Sequence, residues 1–251
     1  MTSLITIYTH NTRHTISTLC AVIFLIMMCP LANANTPANI ELDLSWESQY
    51  ISQGRNNLDN GGIMWGIASV EKNGWAAFAL VGRADQVHYT EWNAGLAYTF
   101  HVNENFDATL GYQRLAFYAD EHASDNELFG SLTYTAISWF IPAVDYTYST
   151  EAAGYFVEIS AHSPWQLSQQ VSIAPYIVQG FDFQYTSENY NGPNHLQLGI
   201  EVEYQLTNNL TLSGHISHTF AQEDIKREAQ MNNNQNSLDE TYSGIHFNWH
   251  F

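Results

Sequence analysis

The residues best suited by type and spacing to do chemistry are Gly214-His215-Ile216-Ser217. In an extended chain, residues two apart share a face. The His215 imidazole therefore lies close enough to the Ser217 hydroxyl to accept its proton and activate it as a nucleophile. Such a pair normally needs a third group to orient the base, and no carboxylate stands near it in the sequence. Ile216 and Leu212 occupy the opposite, apolar face. A second set is electrostatic. Glu41, Asp43, Glu47, Asp107, Asp145, Glu158, Glu201 and Glu203 recur on the polar faces of alternating stretches, with almost no Lys or Arg beside them. Carboxylates gathered around an aqueous interior raise the local cation concentration and repel anions. In a filled interior the same groups would hydrogen-bond to Ser, Thr, Gln and His. Metal ligation has less support. His246 and His250 share a face, but four residues of strand put them ~13 Å apart, and His215 and His218 point to opposite faces. No metal set, cofactor or nucleotide fingerprint is expected.

The elements that must carry these residues are strands. In the last stretch, Ile245, Phe247, Trp249 and Phe251 fall on one face, and Gly244, His246, Asn248 and His250 on the other. Alternation also marks Ile40–Trp46, Trp92–Phe100, Phe106–Tyr112, Tyr155–Ala161 and Leu196–Leu206. Lys72-Asn73-Gly74 is a tight-hairpin signal. The pattern predicts twelve strands at roughly 18 residues each with its connection, enough for spanning strands of ~9–11 residues. Short connections at Lys72–Gly74, Val102–Asn105, Trp139–Pro142, Ser163–Gln170 and Thr207–Asn209 alternate with longer ones at 53–62, 84–90, 118–126, 183–194 and 221–240. The connection near Glu151–Ala153 is the short exception on the long side. Trp75, Phe100, Phe106, Trp139, Trp165, Trp249 and Phe251 collect at the short-turn end, as an interfacial girdle would.

Arg13 and His14, the apolar run Ile16–Met28 and the small-x-small pattern Ala32-Asn33-Ala34 predict a secretory signal peptide over residues 1–34. The remainder, 35–251, is expected to form one domain. Both cysteines, Cys20 and Cys29, fall in the removed segment, so no disulfide supports the rest. All 25 acidic residues lie beyond residue 34, against six of the seven basic ones. That balance argues against nucleic acid and anionic polymers as partners.

With its terminal Phe251 and alternating Phe247 and Trp249, the last stretch resembles the closing strand of Gram-negative outer-membrane β-barrels. Ser48-Gln49-Tyr50-Ile51-Ser52-Gln53-Gly54-Arg55 resembles the tyrosine-x-x-x-Gly opening of TorF-like porins over about eight residues. These resemblances imply an all-β fold, an antiparallel transmembrane β-barrel in the cell outer membrane, with Phe247, Trp249 and Phe251 serving insertion and closure. They imply a porin or channel for small solutes; the carboxylates make its lumen acidic and cation-favouring. The implied partners are outer-membrane lipid, lipopolysaccharide and the barrel-assembly machinery. His-x-Ser is also the dyad of outer-membrane phospholipase A and lipid A deacylase, although His218-Thr219 departs from how those families continue. A lipid hydrolase using His215 and Ser217 is therefore one alternative, and a non-conducting structural or surface-interaction barrel is another. The acidic stretches Asp120, Glu121 and Asp125, and Glu223 and Asp224, are either solvated charge or binders of divalent cations at the lipopolysaccharide surface.

Overall fold

The computed structural model describes residues 37–58, 60–232 and 238–251. The signal segment expected over 1–34, with Cys20 and Cys29, lies outside them. Twelve long strands form: β1 (Asn39–Glu47), β4 (Ile63–Lys72), β5 (Trp75–Ala84), β6 (Thr90–Asn103), β7 (Phe106–Tyr118), β8 (His122–Tyr134), β9 (Ile141–Ser149), β10 (Gly154–His162), β12 (Val171–Phe183), β13 (Asn191–Thr207), β14 (Leu210–Ala221) and β15 (Glu240–His250). Three two-residue strands accompany them: β2 (Ile51–Ser52) and β3 (Arg55–Asn56), a hairpin inside one loop, and β11 (Trp165–Gln166) in a turn.

Each long strand pairs antiparallel with its neighbours in sequence, and β1 pairs with β4 on one side and β15 on the other. With β10 bonded to β12 as well, the sheet closes on itself. Closure removes the unpaired edge, which inside hydrocarbon would cost several kcal/mol for each orphaned backbone group. The seam continues past the final strand: the Phe251 N–H donates to the Ile40 carbonyl at 2.9 Å.

Register assigns the two faces. Leu44 lies opposite Phe247 and Trp46 opposite Ile245, while Ser45 faces His246 and Glu47 faces Gly244. The apolar set is the outer one. Leu44, Met64, Leu96, Leu110, Leu128 and Ile216 are each more than half exposed. In water this would be one large sticky surface; against lipid tails it is matched. Aromatic contacts ring the short-turn end, with Trp75–Tyr98 at 4.8 Å, Phe106–Tyr134 at 5.1 Å and Trp139–Trp165 at 6.4 Å between ring centroids. The turn at Asn73-Gly74 has φ of 53° and 81°, the doubly left-handed backbone that suits a two-residue hairpin.

Three connections differ from the sequence reading. The loop expected at 118–126 is only residues 119–121, because β7 runs to Tyr118 and β8 starts at His122. Polar residues there continue the alternation rather than break it: Ala116 pairs with Ser124 and Arg114 with Asn126. The loop expected at 183–194 ends at Asn191, where β13 begins. The stretch expected as loop over 221–240 contains helix α1 (Glu223–Met231). Its Ile225 and Ala229, one helical turn apart, are buried, which supplies the apolar stripe that an isolated nine-residue helix lacks.

Leu110→Arg puts a cation on the outer face of β7. It is expected to destabilise the folded barrel in phospholipid vesicles by about 2–4 kcal/mol if it sits near the bilayer midplane. The neighbouring inward change, Thr109→Arg, should cost much less. Denaturant unfolding followed by tryptophan fluorescence compares the two.

Candidate functional site in the barrel interior

Because register fixes one polar face per strand, the acids singled out from the sequence fall on the inner side. Glu41, Asp43 and Glu47 project from β1, Asp107 from β7, Asp145 from β9, Glu158 from β10, and Glu201 and Glu203 from β13. Asp145 and Glu158 are direct cross-strand partners. Others engage neutral or imidazole groups: Asn248 Nδ2 donates to Glu41, and the Ser172 hydroxyl donates to Glu203 at 3.1 Å. The interior is not uniformly polar. Trp65, Ile67 and Leu80 on β4 and β5 line a cavity of about 370 Å³ together with His215 and His246 of β14 and β15.

The His215–Ser217 pair forms as spacing predicts, with Nδ1 and Oγ 3.0 Å apart. The third group missing from the local sequence comes from the far end of the chain. Glu47 Oε2 lies 2.8 Å from His215 Nε2, because β1 and β14 both border β15. His246, on β15, places Nε2 at 3.0 Å from the other Glu47 oxygen and Nδ1 at 3.4 Å from Asp43. Ser217 is only 2% exposed and contacts the Tyr176 hydroxyl at 2.5 Å, which in turn accepts from Gln197. The geometry of a relay is present, but its hydroxyl is enclosed. His250 sits 3.9 Å from Glu41 and makes no approach to the His246 cluster.

Sequence reading missed a second layer of interior acids nearer the loop end. Glu91 is 2% exposed and Glu127 3%. Glu91 accepts from Tyr50 at 2.6 Å, Tyr89 at 2.7 Å and Asn93 at 2.7 Å. Glu127 accepts from Gln113 at 2.7 Å and from the Tyr185 hydroxyl. Burial first, and the adjacent carboxylate second, push the Tyr50, Tyr89 and Tyr185 phenols up, so they stay protonated donors. Alternation against Trp92 and Leu128 was the available signal for both acids. Glu127 follows directly on the stretch 118–126 read as loop and precedes Leu128, from which the strand was marked.

The loop-end mouth is crossed by the β2–β3 hairpin. Its turn, Gln53-Gly54, has φ of 45° and 73°. A side chain on Gly54 would sit 2.6 Å from buried His195 on β13, so only glycine lets the hairpin tip reach that wall. Arg55 then bonds to Asp224 at 2.7 Å and Glu228 at 2.8 Å, both on α1. Asp224 is 1% exposed and also accepts from Asn194 at 2.8 Å. Asp125 takes hydrogen bonds from Ser149 and from the Glu151 N–H. Of the acidic stretches considered as divalent-cation binders, Asp125 and Asp224 are thus already engaged within the protein. Arg83 and Arg114 instead lie on exposed faces, bonded to Thr90 and to Asn126 and Ser124.

Arg55→Ala strips a buried carboxylate of its counter-charge, a change worth about 3–5 kcal/mol at buried pairs. Hydrogen exchange is expected to accelerate across residues 48–58 and 223–231 while the long strands keep their protection. The pH dependence follows from Asp224. Burial opposes its ionisation, but the Arg55 guanidinium and the Ser187 hydroxyl outweigh burial and hold it below its ordinary value of 3.8. A depressed carboxyl contributes stability that is complete above the ordinary value and lost as pH falls through the folded one. The clasp should therefore persist from neutrality down to about pH 4 and open only in stronger acid. The same exchange experiment run across pH tests this.

No family model matches the sequence, and no curated protein is significantly similar to it. Solved structures do match. A KdgM porin superimposes with a TM-score of 0.57 at 11% identity, covering 84% of this chain and 99% of that one. A NanC porin gives 0.52 at 11% identity, over 84% and 98%. An outer membrane channel from Pseudomonas putida F1 gives 0.54 at 9% identity, over 87% and 97%. Identities this low carry the fold and not the lining of the interior. In fold, the chain is a closed twelve-stranded antiparallel β-barrel like those of these outer-membrane porins and channels.

Proposed function

We propose that this barrel is an outer-membrane channel for small solutes whose interior favours cations over anions. The observation that carries the reading is the placement of Glu41, Asp43, Glu47, Asp145, Glu158 and Glu201 on inner faces. Among the described residues Arg55 is already committed to Asp224 and Glu228. Unbalanced carboxylates in a narrow, low-dielectric passage concentrate cations and exclude anions.

One structural neighbour is a KdgM porin in complex with disordered oligogalacturonate. Galacturonate units each carry a carboxylate, so such a polymer meets like charge along the acidic wall here. A neutral or cationic small solute fits better. Outer-membrane lipid and lipopolysaccharide would surround the outer face, with Arg83 and Arg114 exposed toward the loop end to meet phosphates, and the barrel-assembly machinery would insert the chain. The domain is taken to be 35–251, following removal of 1–34.

A second reading has its own support. The hairpin pinned across the mouth by Arg55 favours a barrel that does not conduct and works through its loops. The hydrolase reading gains a carboxylate in Glu47 but loses access at Ser217.

Planar-bilayer recording of the refolded mature protein in a salt gradient decides among these. Stable steps with a reversal potential on the cation side are expected, and neutralising Asp43, Glu158 and Glu201 to their amides should shift that potential toward zero. A folded, heat-modifiable barrel that never conducts would remove the channel reading and favour the loop-based one. Acyl release from phospholipid vesicles that disappears in Ser217→Ala would restore the hydrolase.

A further inference from the structure

Two imidazoles and a carboxylate that lie far apart in the sequence converge on one point of the inner wall. Glu47 comes from β1, His215 from β14 and His246 from β15. Their ligand atoms all lie within 4.8 Å of one another. An ion bound tetrahedrally with bonds of about 2.0–2.1 Å needs donors roughly 3.3 Å apart. The two closest pairs here, at 2.8 and 3.0 Å, engage opposite oxygens of Glu47, so a turn of the carboxylate that presents one oxygen to both rings, with the rings drawn together, supplies that spacing.

We propose that Glu47, His215 and His246 form a binding site for a divalent transition-metal ion of the zinc type, facing the lumen. The surroundings match what such a site needs. A metal-binding imidazole uses one nitrogen as ligand, and the other is normally held by a hydrogen bond that fixes tautomer and ring orientation. The His215 ring satisfies this, and the His246 ring has a carboxylate placed to do so. His215 Nδ1 is held by Ser217 Oγ at 3.0 Å, and Ser217 is itself anchored by Tyr176. His246 Nδ1 is 3.4 Å from Asp43. Each Nε2 is thereby directed at Glu47. Asp43 Oδ1 is buried without a hydrogen bond of ordinary length, so an imidazole N–H drawn toward it would satisfy that oxygen.

Two nitrogens and one oxygen suit zinc, copper(II) or nickel(II) better than calcium or magnesium, which prefer all-oxygen shells. The three ligands also line the cavity of about 370 Å³ beneath Tyr50 and Ile51. The fourth coordination position thus opens onto space for water or an exchangeable ligand. In this arrangement the His-x-Ser pair is not a nucleophile and its base. Ser217 is a positioning residue that fixes the tautomer of a ligand. The site does not depend on conduction, so a silent barrel would leave it standing.

The test uses the mature protein, folded in detergent and carrying no polyhistidine tag. Zn²⁺ titrated calorimetrically is expected to bind with one equivalent per barrel. Glu47→Gln and His246→Ala should each weaken binding by about tenfold or more, and Ser217→Ala should weaken it less. His122→Ala, at the exposed loop end, should leave it unchanged. Heat-modifiability on gels establishes that each variant is folded. Co²⁺ bound to the unaltered protein supplies a readout independent of any variant: an intense visible d–d band is expected from a four-coordinate nitrogen and oxygen shell. Absence of Zn²⁺ binding, binding undiminished in Glu47→Gln and His246→Ala, or a weak six-coordinate Co²⁺ spectrum would each overturn the proposal.

Discussion

The rest of the structure depends on one requirement: inside hydrocarbon, a strand must satisfy all its backbone hydrogen bonds through other strands. The consequence is the seam between β1 and β15, seven residue pairs from Glu41–His250 to Glu47–Gly244. The first and last described strands become neighbours, and every other feature inherits that adjacency. Alternation then has only one sense compatible with a bilayer. Leu44, Leu110 and Ile216 must point outward, which turns their polar neighbours inward whether or not the interior has use for them.

What could be read in the sequence follows the same logic. The strand number, the Asn73-Gly74 turn, the division of each strand into an apolar and a polar face and the short-turn aromatic ring are all local patterns of period two or of turn chemistry. They were legible because side-chain direction in a strand depends on parity alone. The limit lay where partners come from different strands. His215 and Ser217 lie two residues apart and were visible as a pair. Glu47, 168 residues away from His215, could be joined to them only by knowing that β1 closes against β15. The helix α1 was hidden for another reason: its apolar stripe is short, Ile225 and Ala229, and lies among polar residues resembling loop. Likewise, Asp125 sat where charge density suggested a solvated loop, although the alternation of β8 runs through it.

The interior is best understood as two zones. Near the short turns, acids such as Glu41, Asp107 and Glu203 meet Asn, His and Ser at partly exposed positions. Toward the loops, Glu91, Glu127 and Asp224 are almost completely enclosed and each accepts from several donors. Burying such groups is tolerable only when their acceptor capacity is filled. The tyrosines at 50, 89 and 185 supply much of that capacity, and they come from loops that fold over the mouth. Loop conformation and interior electrostatics are therefore set together.

The clasp between Arg55 and α1 has a consequence for how the molecule assembles. Arg55 and Asp224 are 169 residues apart in the chain, and joining them in an open chain would carry a large loop-closure penalty. Once β15 pairs with β1, the chain is effectively a ring. The path from Arg55 to Asp224 then runs back through β1 and across the seam, and most of that separation disappears. A contact remote in the linear chain becomes short-range in the circular one, so the hairpin is placed to lock only after the wall beneath it has been completed.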